Sequence, residues 1–394
     1  MGNYIGVIAI LLFFGMAYLL SNNKKEIHWR TIALAFFIQI IVAFSLLHTN
    51  IGTMMLSYAT NAVSWVVSNA KAGIEFVFGE LATQNGFVFF LSGLLPIVFI
   101  SALMGVLFHF GVIQWFVRVV GLLIAKLFNV DVLVSVNAVT NIFLGQTDAL
   151  TVTKSYLPGA NDNAIFATVV GGMTSISVST MGIYVSFGAK MEYILLSMLL
   201  NVFSTLILTQ MVRPTTYVNA NEMKIESDRG VNVLDTLMSY AMTGFKIVIG
   251  VTVALIAFIG ITTMLNGLLG GIFPFLTIEK LLGIIFFPLA LVMGIPMSEV
   301  SIVSELLATK FFVNEAVAFG KYSTVLDDLS ERTQAMVTFA LCGFAAISSI
   351  GIMIGGYSAI APNKKEYVAR IGFLALIVAT ISNLFTASLV GLLL

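Results

Sequence analysis

Apolar stretches long enough to cross a bilayer recur along the whole chain, and that recurrence leaves few folds open. In hydrocarbon every backbone N–H and C=O must find a partner within the protein, so such stretches become helices. Composition agrees: 59% of the 394 residues are hydrophobic, 10% are charged, and mean hydropathy is +1.03. These values exclude an ordinary soluble domain. The 33 glycines suit helices in close contact. A net charge of zero argues against nucleic acid as a partner. The lone Cys342 offers no disulfide framework and reads as a small buried hydrophobe. His28, His48 and His109 are too scattered to suggest a metal centre.

Eight spans are expected, at residues 4–20, 31–47, 87–110, 164–187, 193–211, 245–264, 333–356 and 371–394. The first lacks a basic leader and a small-residue cleavage site, so it reads as a retained helix. Residues 54–78 are too polar for a clean span and suit an interface or a subunit contact. Residues 111–128, with Trp115, Arg118 and Lys126, suit the headgroup plane. Residues 267–275 read as a glycine-rich connector, and the run 281–293 stops at Gly294 and Pro296. The expected class is an all-α polytopic membrane protein. It divides into a peripheral region (1–86), a first half (87–211), a cytoplasmic polar loop (212–238) and a second half (239–394).

Two places break the apolar pattern. Residues 132–144 and 149–157 are each short for a crossing and meet at Gly145, Gln146, Thr147 and Asp148. Short arms meeting at a polar tip suggest a re-entrant hairpin over about 132–157, the alternative being one tilted span with a glycine kink. A second is expected at about 299–323, with Asn314 and Glu315 at its tip. Ionisable groups in such surroundings mark functional sites by default. With both termini outside, Lys24, Lys25, Arg30, Arg118, Lys126, Arg213, Lys224, Arg229, Lys364, Lys365 and Arg370 fall in cytoplasmic segments. Only Lys190, Lys280 and Arg332 fall in clearly external ones. The first hairpin then enters from the cytoplasm and the second from outside.

The halves echo one another. Residues 148–156 and 315–323 each run from an acid and a small residue to Lys with Ser and Tyr. Residues 172–177 pair with 343–348, and Asn201-Val-Phe pairs with Asn383-Leu-Phe. The acid-to-glycine distances are then 24 and 28 residues. Inverted repeats of this kind place a site near the midplane and permit alternating access.

Gln146, Thr147, Asp148, Asn314 and Glu315 suit a neutral solute with several hydroxyls and a ring amide. Phe344 offers a stacking face, and Ser348 or Ser349 a hydroxyl. The Asn141 amide oxygen, the Leu144 carbonyl freed by the break, Ser175 and the backbone at Ile176 offer oxygen ligands to a hard cation. Phe143 and Val178 would form its apolar rim. Alternatively, Ser175, Ser177 and Ser179 bond only to a preceding helical turn. No ATP-binding loop is present, so an ion gradient would drive transport. Glu315 or Glu305 could instead pass protons. No histidine lies near either acid in sequence, which argues against an enzyme. Two broken segments entering from opposite faces favour a gated carrier over a channel.

Residues 141–148, 288–296, 308–318 and 343–351 together resemble the concentrative nucleoside transporter family, in particular its bacterial NupC-type members. The resemblance spans essentially the whole chain. It implies a homotrimer in the bacterial cytoplasmic membrane, each protomer moving an elevator-like transport domain against a scaffold. Substrate positions would fall on Gln146, Thr147, Asp148, Asn314, Glu315, Phe344 and Ser349, the first hairpin reading the base and the second the ribose. The sodium position would fall on Asn141, Leu144, Ser175 and Ile176; protons are the other coupling ion the family uses. Three residues depart from the family pattern: Asp148 where Glu is usual, Ala346 where Asn is usual, and Ala316 where Phe is usual.

Overall fold

The computed structural model describes residues 2–83, 88–216, 230–273 and 277–394. Glu222, Lys224, Glu226, Asp228 and Arg229 of the polar loop, and Phe275 of the expected connector, lie outside the described residues. The chain opens with α1 (Gly2–Leu19), α2 (Trp29–His48), a long exposed α3 (Asn50–Phe78) and the single turn α4 (Glu80–Thr83). A π-helical turn at Phe90–Leu94 leads into α5 (Pro96–His109), then the amphipathic α6 (Val112–Phe128). The first hairpin is α7 (Val132–Phe143) and α8 (Asp148–Val152), followed by α9 (Asp162–Thr174), α10 (Met181–Ser186) and α11 (Met191–Val212).

The second half opens with α12 (Val233–Ile272) and α13 (Ile278–Val292). Its hairpin is α14 (Val300–Phe312) and α15 (Glu315–Tyr322), followed by α16 (Glu331–Leu341), α17 (Ile347–Ile360) and α18 (Lys365–Leu393). Short polar side chains start many of these helices by accepting from an orphan backbone N–H. Asp131 Oδ1 accepts from Leu133 N at 2.8 Å, Asn161 Oδ1 from Ala164 N at 2.7 Å, and Asn314 Oδ1 from Val317 N at 2.8 Å.

Hydrogen bonds sort the helix ends onto two faces. On one, Thr31 Oγ1 donates to Phe128 O, Asn22 N to Val212 O, Asn163 Nδ2 to Pro214 O, and Lys364 pairs with Asp162 at 3.2 Å. Asn363 Nδ2 donates to Pro158 O there, so the first hairpin opens from this face. On the other, His48 meets Leu393 O, Arg332 donates to Gly294 O and Gly391 O, and Lys190 pairs with Glu331 at 3.4 Å. Ser330 Oγ donates to Glu299 there at 3.1 Å and closes the base of the second hairpin. The two hairpins thus enter from opposite faces, as the sequence implied.

Among the described residues, five crossings are single helices long and apolar enough to span: α2, α5 with its π-helical turn, α11, α12 and α18. Helix α1, the α9–α10 pair and the α16–α17 pair run between the same two faces, making eight. Three expectations need correction. The runs 164–187 and 333–356 are each interrupted by non-helical backbone, at 175–180 and 342–346. The glycine-rich stretch from 267 is helical as far as Ile272, because α12 continues through it. The repeat register is off by three residues. Thr174 and Cys342 are the equivalent positions, each accepting from the same pair of asparagine side chains. Asp148 to Thr174 is then 26 residues and Glu315 to Cys342 is 27, closer than the original pairing gave.

Burial separates a core from a wall. Buried residues make up 89% of the apolar window of α11 but 6% of that of α12. α12 instead lies along α5, where small residues admit close backbones. A Cβ at Gly244 would lie 2.6 Å from Ser101 Oγ and 3.0 Å from Ile97 O, and one at Gly105 would lie 2.7 Å from Tyr240 Cβ. His109 Nδ1 and Thr236 Oγ1, 2.8 Å apart, join the ends of the same two helices. Gly244→Val should therefore destabilise the protein by about 1–3 kcal/mol through overpacking. Gly250→Ala, at a site with nothing within 4 Å, should leave it unchanged or slightly more stable. Thermal unfolding of the two variants in detergent checks the contrast.

Candidate functional site

Each break in a crossing helix frees the carbonyls of the helix that ends there. Two asparagines serve both breaks. Asn201 Nδ2 donates to Thr174 O at 3.2 Å and Cys342 O at 2.9 Å; Asn383 Nδ2 donates to the same carbonyls at 2.9 and 3.3 Å. The extended segments also meet directly, Phe344 N donating to Ser175 O at 3.3 Å. Gly343 lies at the tightest point, where a Cβ would stand 2.4 Å from both Thr174 O and Asn383 Oδ1. The two breaks are thus clamped against one another in the middle of the bundle.

Beside this clamp the hairpin tips open into one cavity of about 220 Å³. Gln146, Thr147 and Asp148 reach it from the first tip, Glu315 from the second, and Phe344 from the break between α16 and α17. Of the other residues singled out from sequence, Asn314 stands at the second tip but spends its amide oxygen on capping α15. Ser349 is buried and donates to Phe344 O, so it braces the break rather than lining the cavity. Glu305 lies outside the cavity. It faces α13, where a Cβ on Gly283 would stand 3.3 Å from Glu305 Cγ.

The wall of the cavity was not foreseen. Thr243, Ile247 and Val251, spaced along one face of α12, close it on one side. Tyr184 of α10 stacks on Phe319 at 4.5 Å between ring centroids, and its hydroxyl donates to Glu315 Oε1 at 3.4 Å. No motif marks Tyr184, since an aromatic in an apolar run reads as core. Its segment read as an unbroken span, so nothing in the sequence set its hydroxyl apart.

Asn141, Leu144, Ser175 and Ile176 are all buried where α7 and α9 end. Asn141 Nδ2 donates to Asn137 Oδ1 at 3.0 Å, while Asn141 Oδ1 is buried with no hydrogen-bond partner. Leu144 and Ser175 both have extended backbones, so their segments present oxygens sideways rather than along a helix axis. Ser177 and Ser179 bond to each other at 2.9 Å in the non-helical stretch, not to a preceding helical turn. Such a set of oxygens, with apolar surroundings and an unpaired amide oxygen, fits a hard monovalent cation.

Against known families, residues 8–81 match the Na+ dependent nucleoside transporter N-terminus, 90–191 the nucleoside recognition (Gate) family, and 193–391 the Na+ dependent nucleoside transporter C-terminus. The chain belongs to the Na+-dependent nucleoside transporter family. It is 32% identical over 403 residues to the nucleoside permease NupC of Helicobacter pylori, covering 98% of this chain and 96% of that one. An uncharacterized transporter of Haemophilus influenzae is 34% identical over 402 residues, with the same coverage. The structure is similar to that of CNTnw in an inward-facing substrate-bound state (TM-score 0.94, 34% identity), covering 100% of this chain and 98% of that one. A CNTnw variant in an outward-facing state is as similar (TM-score 0.94, 33% identity), covering 100% and 99%. The protein is therefore a multi-pass transporter of the bacterial cytoplasmic membrane rather than an enzyme.

Gly343 is where the clamp between the two breaks leaves no room for a side chain. Gly343→Ala should cost at least about 1–3 kcal/mol, because one clashing partner is a backbone carbonyl that cannot rotate away. A thermal shift in detergent, read beside uptake, should show both stability and transport falling.

Proposed function

We propose that this transporter imports nucleosides in symport with Na+, by moving a site held between two hairpin tips from one face of the membrane to the other. The observation that carries the reading is the shared cavity. Polar residues from hairpins entering by opposite faces converge there against one wall, α12. Gln146 and Thr147 can donate and accept at a base edge, and Phe344 can stack on its ring. The Glu315 carboxylate accepts from ribose hydroxyls while Tyr184 steadies it from behind. Asn314, its oxygen engaged in the cap, has its amide N–H groups to offer. Ser349 acts at one remove, by fixing the Phe344 carbonyl.

Asp148 is one methylene shorter than the usual Glu, and Ala346 is buried with no polar group to offer. Both changes thin the contacts to the solute, so the choice among nucleosides is where this chain departs from its relatives. The cation binds at Asn141, the Leu144 carbonyl, Ser175 and the Ile176 carbonyl, directly behind the first tip. Ion binding there stiffens the extended backbone that carries Gln146 to Asp148, which couples ion to solute. The termini lie outside, since the face gathering Lys24, Arg30, Arg118, Lys126, Arg213 and Lys364 is the basic one. The uncovered apolar residues of α12, among them Val253, Ile256 and Ile259, suit contact between copies in a homotrimer.

Uptake of radiolabelled uridine, cytidine, adenosine and inosine into proteoliposomes, with and without a sodium gradient, tests the reading. Sodium-stimulated uptake of at least one is expected. Uptake of none under either a sodium or a proton gradient overturns it, and uptake driven by protons alone moves the coupling to the acids. Glu315→Gln should lower kcat/KM about tenfold or more, because charge-assisted hydrogen bonds are each worth about 1.5–3 kcal/mol. Asn141→Ala should raise the sodium concentration for half-maximal uptake about tenfold, with uptake recovering at saturating sodium. An unchanged sodium dependence would put the ion elsewhere.

A further inference from the structure

The two halves treat their breaks differently. Asn201 and Asn383 are equivalent donors to the same two carbonyls, but their amide oxygens have different fates. Asn383 Oδ1 accepts from the ammonium of Lys310 at 2.7 Å, and Lys310 also donates to Ala340 O at 2.7 Å. Lys310 is 3% exposed, on the first arm of the second hairpin. In the first half Asn201 Oδ1 is buried with no hydrogen-bond partner, as is Asn141 Oδ1 on the first arm of the first hairpin. Where the first half presents unpaired oxygens, the second presents a positive charge.

The carbonyls beside the second break are closed as well. Ser348 Oγ donates to Val313 O at 3.3 Å, and Ser349 Oγ to Phe344 O. In the matched register these stand where Leu144 O and Ile176 O stand in the first half: Val313 and Leu144 each end a first arm, and Phe344 and Ile176 each lie second after the matched residues Cys342 and Thr174. An ammonium near the end of α16 also opposes the negative end of that helix.

We propose that Lys310 is a tethered cation: its ammonium does for the second break what a diffusible cation does for the first. The second break is thereby held at all times in the geometry that presents Phe344 and supports Glu315. The first takes up its geometry only when an ion arrives. One consequence is a single exchangeable coupling ion per protomer, since the matched oxygens of the second half, at Asn383, Val313 and Phe344, are already engaged. Lys310 is a positioning residue, acting on the solute through Ala340, Asn383 and the segment between α16 and α17. The comparison of halves rests on the cation reading given above, whereas the role of Lys310 is testable without it.

Lys310→Met keeps the length of the side chain and removes its charge. It should elute like the unaltered protein and show a nucleoside KM raised about tenfold, with kcat less affected. Lys310→Ala leaves room for a small cation. Methylammonium chloride, against choline chloride as control, should restore its uptake and raise its melting temperature while doing neither for the unaltered protein. If Lys310→Met transports with an unchanged KM, the proposal is overturned. It is equally overturned if Lys310→Ala gains neither uptake nor stability from methylammonium, since a side chain that merely fills space needs volume rather than charge. Should Lys310→Met fail to fold, recovery of folded Lys310→Ala by purification in methylammonium still supports the proposal, and failure to recover it overturns it. Sodium-independent uptake by the unaltered protein would remove the cation reading alone, because the melting temperature of Lys310→Ala with methylammonium is read without sodium.

Discussion

Unpaired backbone in hydrocarbon costs several kcal/mol per group, and the architecture of this transporter follows from how it meets that cost at two broken helices. A helix that stops in mid-membrane must hand its last carbonyls to something. Here they go to Asn201 and Asn383, each of which serves both breaks at once. Because each asparagine spans the two halves, neither break is independent of the other. Gly343, with no side chain, lets them approach closely enough for this to work.

That clamp places irregular backbone where it is covered by protein, and irregular backbone is what supplies the site. The tips at Gln146 to Asp148 and at Glu315 reach one cavity because their hairpins enter from opposite faces and each stops part-way. The far wall comes from α12, a helix that lies along α5 and is little buried in the rest of the chain. A core carrying the site and a wall that is scarcely part of it can move past one another. The likeness to CNTnw in both inward-facing and outward-facing states fits such a division.

Much of the fold was legible because hydrophobic length is a direct consequence of bilayer thickness. The eight crossings and both hairpins were anticipated. Short apolar arms meeting at an acid and an amide suit a re-entrant turn better than one tilted, kinked span, which was the alternative at the first hairpin. The breaks at 175–180 and 342–346 were not, because their residues are largely apolar or small and carry no proline. Extended backbone there is stabilised by distant asparagines rather than by any local signal. The continuation of α12 through Gly267, Gly270 and Gly271 was missed for the converse reason: glycine weakens a helix in water, but in a membrane the backbone has no better alternative. The repeat was recognised three residues out of register, since short apolar strings match too readily. Only the shared acceptors Thr174 and Cys342 identify the true pairing.

The sequence alone determined that the chain is a helical membrane protein with two polar interruptions, because hydrophobicity and the cost of buried charge act locally along the chain. It also placed Gln146, Thr147, Asp148 and Glu315, which line the cavity, on those interruptions. Tertiary structure alone decided that Tyr184, Thr243, Ile247 and Val251 complete the cavity. It likewise decided that Ser349 braces rather than faces it, and that Lys310 sits on the Asn383 oxygen. Those roles depend on which groups are left unpaired once the helices have packed, and no window of sequence contains that information.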